Sequence, residues 1–214
     1  RIAFINKMDR VGANFPRCVS MIAKRLGGNP VPIQLPVGSE AEFEGIIDLV
    51  EEKMLVFEEQ SLGQEVIEKE VPAKYIEEFT AARLMLLEKL ADFDEEIMEK
   101  YLDDTSVTAP EIHRALRKAT LSLNIVPVLC GSAFKNKGVQ PLLDSVITLL
   151  PSPLDVKNVE GENAGGEIVS RETDPKAKLA ALVFKLMSDS FVENLAFVRI
   201  YSGTISVGDM CTIL

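Results

Sequence analysis

The sequence is poor in the residues that build disulfide or metal scaffolds. Its three cysteines, Cys18, Cys130 and Cys211, lie far apart, and His113 is the single histidine among 214 residues. With no C-x-x-C pair and no second imidazole, neither a disulfide framework nor a zinc site is expected, and the pattern fits a reducing compartment. No uninterrupted apolar run reaches the ~18 residues that mark a membrane-spanning helix, and no signal peptide or membrane association is expected. Internal repeats and low-complexity tracts are lacking as well. The chain starts at Arg1 in a strand-like run and stops at Leu214 in another, so both ends read as cuts in a longer protein.

What is present is the composition of an ordinary soluble globular protein, 47% hydrophobic and 26% charged, long enough for one large domain or two modest ones. The net charge of -10 is unevenly placed. Between Glu58 and Asp104 stand 15 acidic and 5 basic residues, a balance of -10, which leaves 18 of each sign elsewhere. One segment therefore carries the whole excess. Such a segment suits a basic partner rather than phosphates, although an acidic helix is by default a solvated face.

Local patterns divide the chain. Ile2-Ala3-Phe4-Ile5 is a short continuous apolar run, as in a buried parallel strand. Phe15, Val19, Ile22, Ala23 and Leu26 recur at helical spacing up to Gly27-Gly28, a C-cap signal. Residues 31–37 and 45–57 have β character around a turn at Gly38-Ser39-Glu40. Pro72 opens a helix whose inner face is expected to be Ile76, Phe79, Leu86, Leu87 and Leu90. Asp92-Phe93-Asp94 restarts it through Ile97, Met98 and Tyr101, and Thr108-Ala109-Pro110-Glu111 is a capping box for a third helix reaching about Leu123.

Ile125 to Cys130 is a second apolar strand, followed by Gly131-Ser132 and by a helix from Val139 to Leu150. That helix is expected to pack through Val139, Leu142, Leu143, Val146 and Leu150. Residues 154–178, rich in glycine and charge, read as a linker. Leu179–Met187, Leu195–Tyr201 and Met210–Leu214 then read as strands of an antiparallel barrel.

The chemistry lies at the ends of the two short strands, the rim where open α/β sheets bind ligands. One ends on Asn6-Lys7-Met8-Asp9 and the other on Ser132-Ala133-Phe134. A carboxylate accepts only, so Asp9 can take two N–H donors side by side. Guanine offers that pair in its ring N–H and exocyclic amine; adenine does not, and would leave Asp9 unsatisfied. Asn6 can bind the far edge of the base and brace the neighbouring loop, while the Lys7 stem lies over the ring. The N–H of Ala133 is expected to reach the guanine oxygen, Ser132 to support Asp9, and Lys135 to cover the other ring face. Phe134 is expected to pack beneath the loop rather than stack on the base. Cys130 reads as a small core residue, His113 as a surface or half-buried side chain, and Lys135 and Lys137 as a solvated turn that alternatively meets ribosomal RNA.

INKMDRVGANF, NPVPIQLPVG, GSAFKNKGVQPLLD and LLPSP occur in this order, and the combination resembles the translational GTPases, the elongation factor G group in particular. The resemblance implies an α/β fold: a partial P-loop-type GTPase domain with an α+β insertion, followed by the start of an antiparallel β-barrel. Residues 1–28 and 123–153 would be the second half of the GTP-binding domain, 29–122 the insertion, 154–178 the linker and 179–214 the opening of domain II. It assigns guanine-nucleotide binding to Asn6, Lys7, Asp9, Ser132, Ala133 and Phe134, and GTP or GDP as the ligand. It also implies a monomeric, ribosome-dependent translocation factor of the cytoplasm, or of an organellar matrix or stroma, that meets the stalk protein through the acidic insertion and ribosomal RNA through domain II.

The sequence departs from the family in two ways. The phosphate loop, G-x-x-x-x-G-K-S/T, and both switch segments are absent from these residues, so no catalytic residue or Mg2+ ligand is expected here and the chain alone should be inactive. Asp9-Arg10-Val11-Gly12 spells D-x-x-G but overlaps the base motif. Ser190 and Glu193 stand where the family has proline and glycine, which leaves open a diverged or ribosome-recycling paralogue. A class-three release factor and a ribosomal protection protein are the neighbouring alternatives.

Overall fold

The computed structural model describes residues 1–58, 65–163, 165–188 and 195–211, which form two compact units, Arg1–Leu150 and Pro151–Leu214. In chain order the first unit runs β1 (Ala3–Ile5), α1 (Phe15–Leu26), β2 (Pro30–Pro32), β3 (Gln34–Val37), β4 (Gly45–Asp48), β5 (Lys53–Phe57), β6 (Val66–Lys69), α2 (Ile76–Ala91), α3 (Glu95–Leu102), α4 (Ala109–Leu121), β7 (Val126–Cys130) and α5 (Val139–Leu149). The helix starts follow local chemistry. Asn14 caps α1 by accepting from the Arg17 N–H, and Asp94 caps α3 by accepting from Ile97. Ahead of α4, the Glu111 carboxylate accepts from the Thr108 N–H at 2.9 Å, closing that side of the capping box. Gly27 ends α1 in the left-handed conformation.

β7 lies between β1 and β2 in a parallel sheet, with Ile5 opposite Cys130 and Pro30 opposite Val126. Its continuous apolar pattern is explained by position: Val128, Leu129 and Cys130 are fully buried, whereas edge strand β1 is only half-buried. Burial raises the Cys130 thiol far above its ordinary pKa, so it is an inert core group, as expected. The other sheet is antiparallel, in the order β3-β4-β5-β6. Ile33 joins the two, donating its N–H to Val128 and accepting from Leu49, both at 3.0 Å. One apolar core runs through both sheets and the helices, with Ile46, Ile47, Leu90, Ile97, Ile112 and Leu116 fully buried.

Several expected faces are corrected. On α2 Phe79, Leu86 and Leu90 are buried, but Ile76 is exposed, and on α3 Met98 is exposed beside buried Ile97. On α1 Leu26 points outward. On α5 Leu149 is the buried residue, whereas Leu143 and Val146 are exposed. Helical period locates an apolar stripe but not the elements laid against it. Strand β6 falls in the acidic segment, where no strand was expected; it joins the sheet at the edge, where charged side chains are tolerated.

In the second unit β8 (Val159–Glu162) pairs antiparallel with β9 (Ile168–Arg171), within the segment expected to be a linker. β10 (Ala180–Met187) pairs antiparallel with β11 (Leu195–Ser202), matching two of the expected strands. Met210 and Cys211 are not in a strand. Residues 212–214 of the third expected strand, and Ser190 and Glu193, lie outside the described residues.

Candidate functional site

Parallel pairing of β1 and β7 sets the two polar strand ends side by side, although 127 residues separate Asn6 from Ala133 in sequence. The pairing continues past the strands: Gly131 N–H donates to Ile5 O, and Met8 N–H donates to Gly131 O, both at 3.1 Å. Gly131 is required there, because a Cβ would fall 2.3 Å from Lys137 O and 2.8 Å from the Phe4 ring. Asn6 turns its side chain across the gap. Its Oδ1 accepts from the Lys7 N–H at 2.7 Å and from the Ala133 N–H at 2.9 Å, locking one loop to the other. Lys7 is held at φ 65°, a left-handed conformation a lysine adopts at a cost of ~1 kcal/mol.

Asp9 is half-buried, and Ser132, fully buried, donates its hydroxyl to the Asp9 carboxylate. That bond, ahead of the charges of Lys135 and Arg10, holds the Asp9 carboxyl below its usual range despite partial burial. An ionised carboxylate has about four acceptor positions, so acceptor capacity remains for a ligand's donors. The Ser132 loop closes on itself through two backbone bonds with Lys137, 2.8 and 3.0 Å long.

The structure thus brings Asn6, Lys7, Asp9, Ser132 and Ala133 together at one rim. Three expectations change. The Ala133 N–H bonds Asn6 rather than standing open for a ligand oxygen. Phe134 does not pack beneath the loop: it is 93% exposed, because the tight Ser132–Lys137 closure turns its side chain outward. Lys137 is also unlike a solvated turn residue. It is buried, and its Nζ donates to Phe43 O at 3.0 Å.

Sequence reasoning missed the supports. Glu40 donates its N–H to Met8 O at 2.9 Å, and its carboxylate accepts from the Gly12 N–H at 2.8 Å. Buried Gln34 accepts from the Cys130 N–H at 3.3 Å. Neither carries a motif; only the turn signal at Gly38-Ser39-Glu40 pointed to that neighbourhood.

Other clusters are structural. A cavity of about 680 Å³ lined by Ala91–Glu96, Met98, Arg114 and Lys118 lies away from the rim, and its charges pair among themselves: Asp94 meets Lys118 at 3.2 Å and Arg114 at 3.3 Å. Arg83, largely buried, donates to the carbonyls of Leu49, Val50 and Val107 and pairs with Glu52, tying the β4–β5 turn to α2. His113 is half-exposed, as expected, and bonded to Glu51 at 2.8 Å. Among the described residues no group of three His, Cys, Asp or Glu could hold a metal ion, and no helix is long and apolar enough to cross a membrane.

Comparison with known proteins agrees with this geometry. The family described as Elongation factor Tu GTP binding domain matches residues 1–152. The chain is 67% identical over 209 residues to "Elongation factor G 2" of Desulfotalea psychrophila, and 46% identical over 210 residues to "Elongation factor G" of Neorickettsia sennetsu. Each match takes in 98% of this chain and 30% of the relative, so the chain spans less than a third of their length. A crystal structure of a Thermus thermophilus protein superposes with a TM-score of 0.73 at 27% identity, covering 98% of this chain and 28% of that one. Family match, identity and the α/β core with its paired strand ends converge: the chain belongs to the translational GTPases that share the Elongation factor Tu GTP-binding domain, and within them it is a fragment of the elongation factor G type.

Proposed function

We propose that these residues are the guanine-reading part of a ribosome-dependent GTPase that drives tRNA–mRNA translocation in protein synthesis. The observation that carries the reading is the rim itself. Adjacent parallel strands present Asp9, ionised and backed by a buried serine, beside Asn6, whose carbonyl is already committed to the partner loop. In GTP or GDP the guanine ring N–H and exocyclic amine would donate to Asp9. The Lys7 stem would cover one ring face, with Lys135 and exposed Phe134 near the other. Phosphate binding, Mg2+ and the attacking water would be handled by residues outside this stretch, since positioning and charge neutralisation are the substance of phosphoryl transfer. The chain by itself is therefore expected to bind GDP weakly and not to hydrolyse GTP.

The test uses the whole reading frame that contains this chain. Asp9→Asn turns one acceptor into a donor and should move preference from GTP towards xanthosine triphosphate; unchanged GTP preference overturns the reading.

A partner surface is the second part of the proposal. The outer side of α2 exposes Glu77, Glu78 and Glu88 around Leu84 and Met85, which suits a basic, partly apolar protein surface such as the ribosomal stalk protein's C-terminal domain. Binding that weakens sharply with added salt supports it; no binding at low salt leaves the face merely solvated. Domain II, beginning near residue 179, would face ribosomal RNA, and the protein would act as a monomer in the cytoplasm or an organellar equivalent.

A further inference from the structure

The turn at residues 38–44, between β3 and β4, touches both loops of the rim without contributing a group that would meet a base. We propose that this turn is a positioning element for base recognition, setting the aim of Asp9 through Met8 and the shape of the Ser132 loop through Lys137. The inference rests on the guanine reading above.

The turn reaches the first loop through Glu40. Met8 is clamped on both sides of its backbone: its N–H on Gly131 O at 3.1 Å and its carbonyl on the Glu40 N–H at 2.9 Å. With its side chain also fully buried, Met8 has no freedom to rotate the Asp9 carboxylate that follows it. The Glu40 carboxylate then accepts from the Gly12 N–H, closing the loop from its far end. The second loop is reached through Phe43, whose carbonyl takes the buried Lys137 ammonium at 3.0 Å. Lys137 in turn makes the two backbone bonds that close on Ser132, the donor to Asp9. Both routes converge on one carboxylate.

The turn is built to be stiff. Glu40 is held at φ 56°, a strained conformation for a non-glycine residue. Gly38 has φ 74°, and a Cβ there would lie 2.1 Å from Glu42 O, so only glycine fits. Its N–H donates to the Tyr75 hydroxyl at 3.1 Å, anchoring the turn to the segment leading into α2. A strained, over-determined turn that supports two loops is what a positioning role requires, since a ligand hydrogen bond weakens steeply once its angle is lost.

The experiment compares GDP with inosine diphosphate, which keeps the ring N–H but lacks the exocyclic amine, in the whole reading frame containing this chain. In Glu40→Ala and Lys137→Met, GDP affinity should fall about fivefold, the worth of one net hydrogen bond, and inosine diphosphate, which keeps only one of the two donors to Asp9, should lose less. Glu40→Gln keeps an acceptor for Gly12 and should restore GDP binding. Equal losses for both nucleotides, or no loss, overturn the inference, because a general structural defect does not single out the amine. Asp9→Asn is measured alongside. If it fails to shift preference towards xanthosine diphosphate, the guanine reading falls and the positioning role with it. If it shifts normally while Glu40→Ala and Lys137→Met leave the GDP-to-inosine ratio untouched, the positioning role alone falls.

Discussion

The rim and the segment between β2 and β7 treat charge in opposite ways. In that segment, charges that approach the core are neutralised by one another. Asp94 has a side chain only 3% exposed and faces Lys118 and Arg114, while Arg83 is spread over three carbonyls and Glu52. At the rim, Asp9 is supported by a neutral hydroxyl and by more distant cations, so its remaining acceptors face no ion pair among the described residues. The difference separates a charge that holds a fold from one left available to a ligand, and burial alone would rank the two the wrong way round.

The comparison breaks most violently in the apolar core that both regions share. Ile112→Ala, at a fully buried position on α4, should cost ~2–5 kcal/mol in urea unfolding of this chain, and a cost under ~1 kcal/mol would deny that the segment between β2 and β7 shares its core with the parallel sheet. Next comes the paired carboxylate. Asp94→Ala removes the α3 cap and takes from Lys118 its carboxylate partner, while Arg114 keeps Glu96 at 2.8 Å; it should cost ~1.5–3 kcal/mol near neutral pH.

The same charges predict an acid response. Burial raises Asp94, but the Lys118 bond, the Ile97 N–H and the Arg114 charge outweigh it and lower its pKa below the ordinary carboxylate value. Glu111, bonded to Lys100 first and then to Thr108, is lowered to about 2. Carboxylates lowered on folding stabilise above their unfolded pKa, and that contribution is lost as pH falls through the folded value. Stability should therefore decline from about pH 4.5 towards pH 2, the window set by Glu111. Asp48 acts in the reverse sense: burial raises its pKa, so the stability it contributes is lost as pH rises through the folded value. In Asp94→Ala the acid slope should be shallower; an unchanged slope would assign it to other groups.

The smallest effect belongs to the exposed side of the rim. Phe134→Ser should leave the thermal midpoint of the chain almost unmoved, within ~0.5 kcal/mol, because the ring is 93% exposed. A large loss would restore the packed position expected from sequence.

Local chemistry was legible in the sequence wherever it acts over a few residues. The Thr108–Glu111 pair caps α4 through bonds to its own first turn, the Asp92–Asp94 stretch starts a new helix and Gly27 ends α1 by its backbone freedom, whereas the equally local cap at Asn14 went unread. The two apolar strands and the polar residues after them were visible for the same reason. Which face of α5 is covered was not visible, because it depends on other elements of the fold; that Val66–Lys69 joins a sheet was not visible because Glu68 and Lys69 hide the strand pattern, although its partner β5 is close in sequence.

The sequence by itself therefore determined the helices of the first unit, the two short apolar strands and the identities of Asn6, Lys7, Asp9 and Ser132 as groups suited to a base. Only the tertiary structure decided that Ile5 stands beside Cys130, that the Ala133 N–H is taken by Asn6 and that Phe134 faces out. It alone turned Lys137 and Glu40 into supports. The physical reason is that a hydrogen bond or an apolar contact between distant residues exists only after the loop between them has closed, and no local pattern records which loops close.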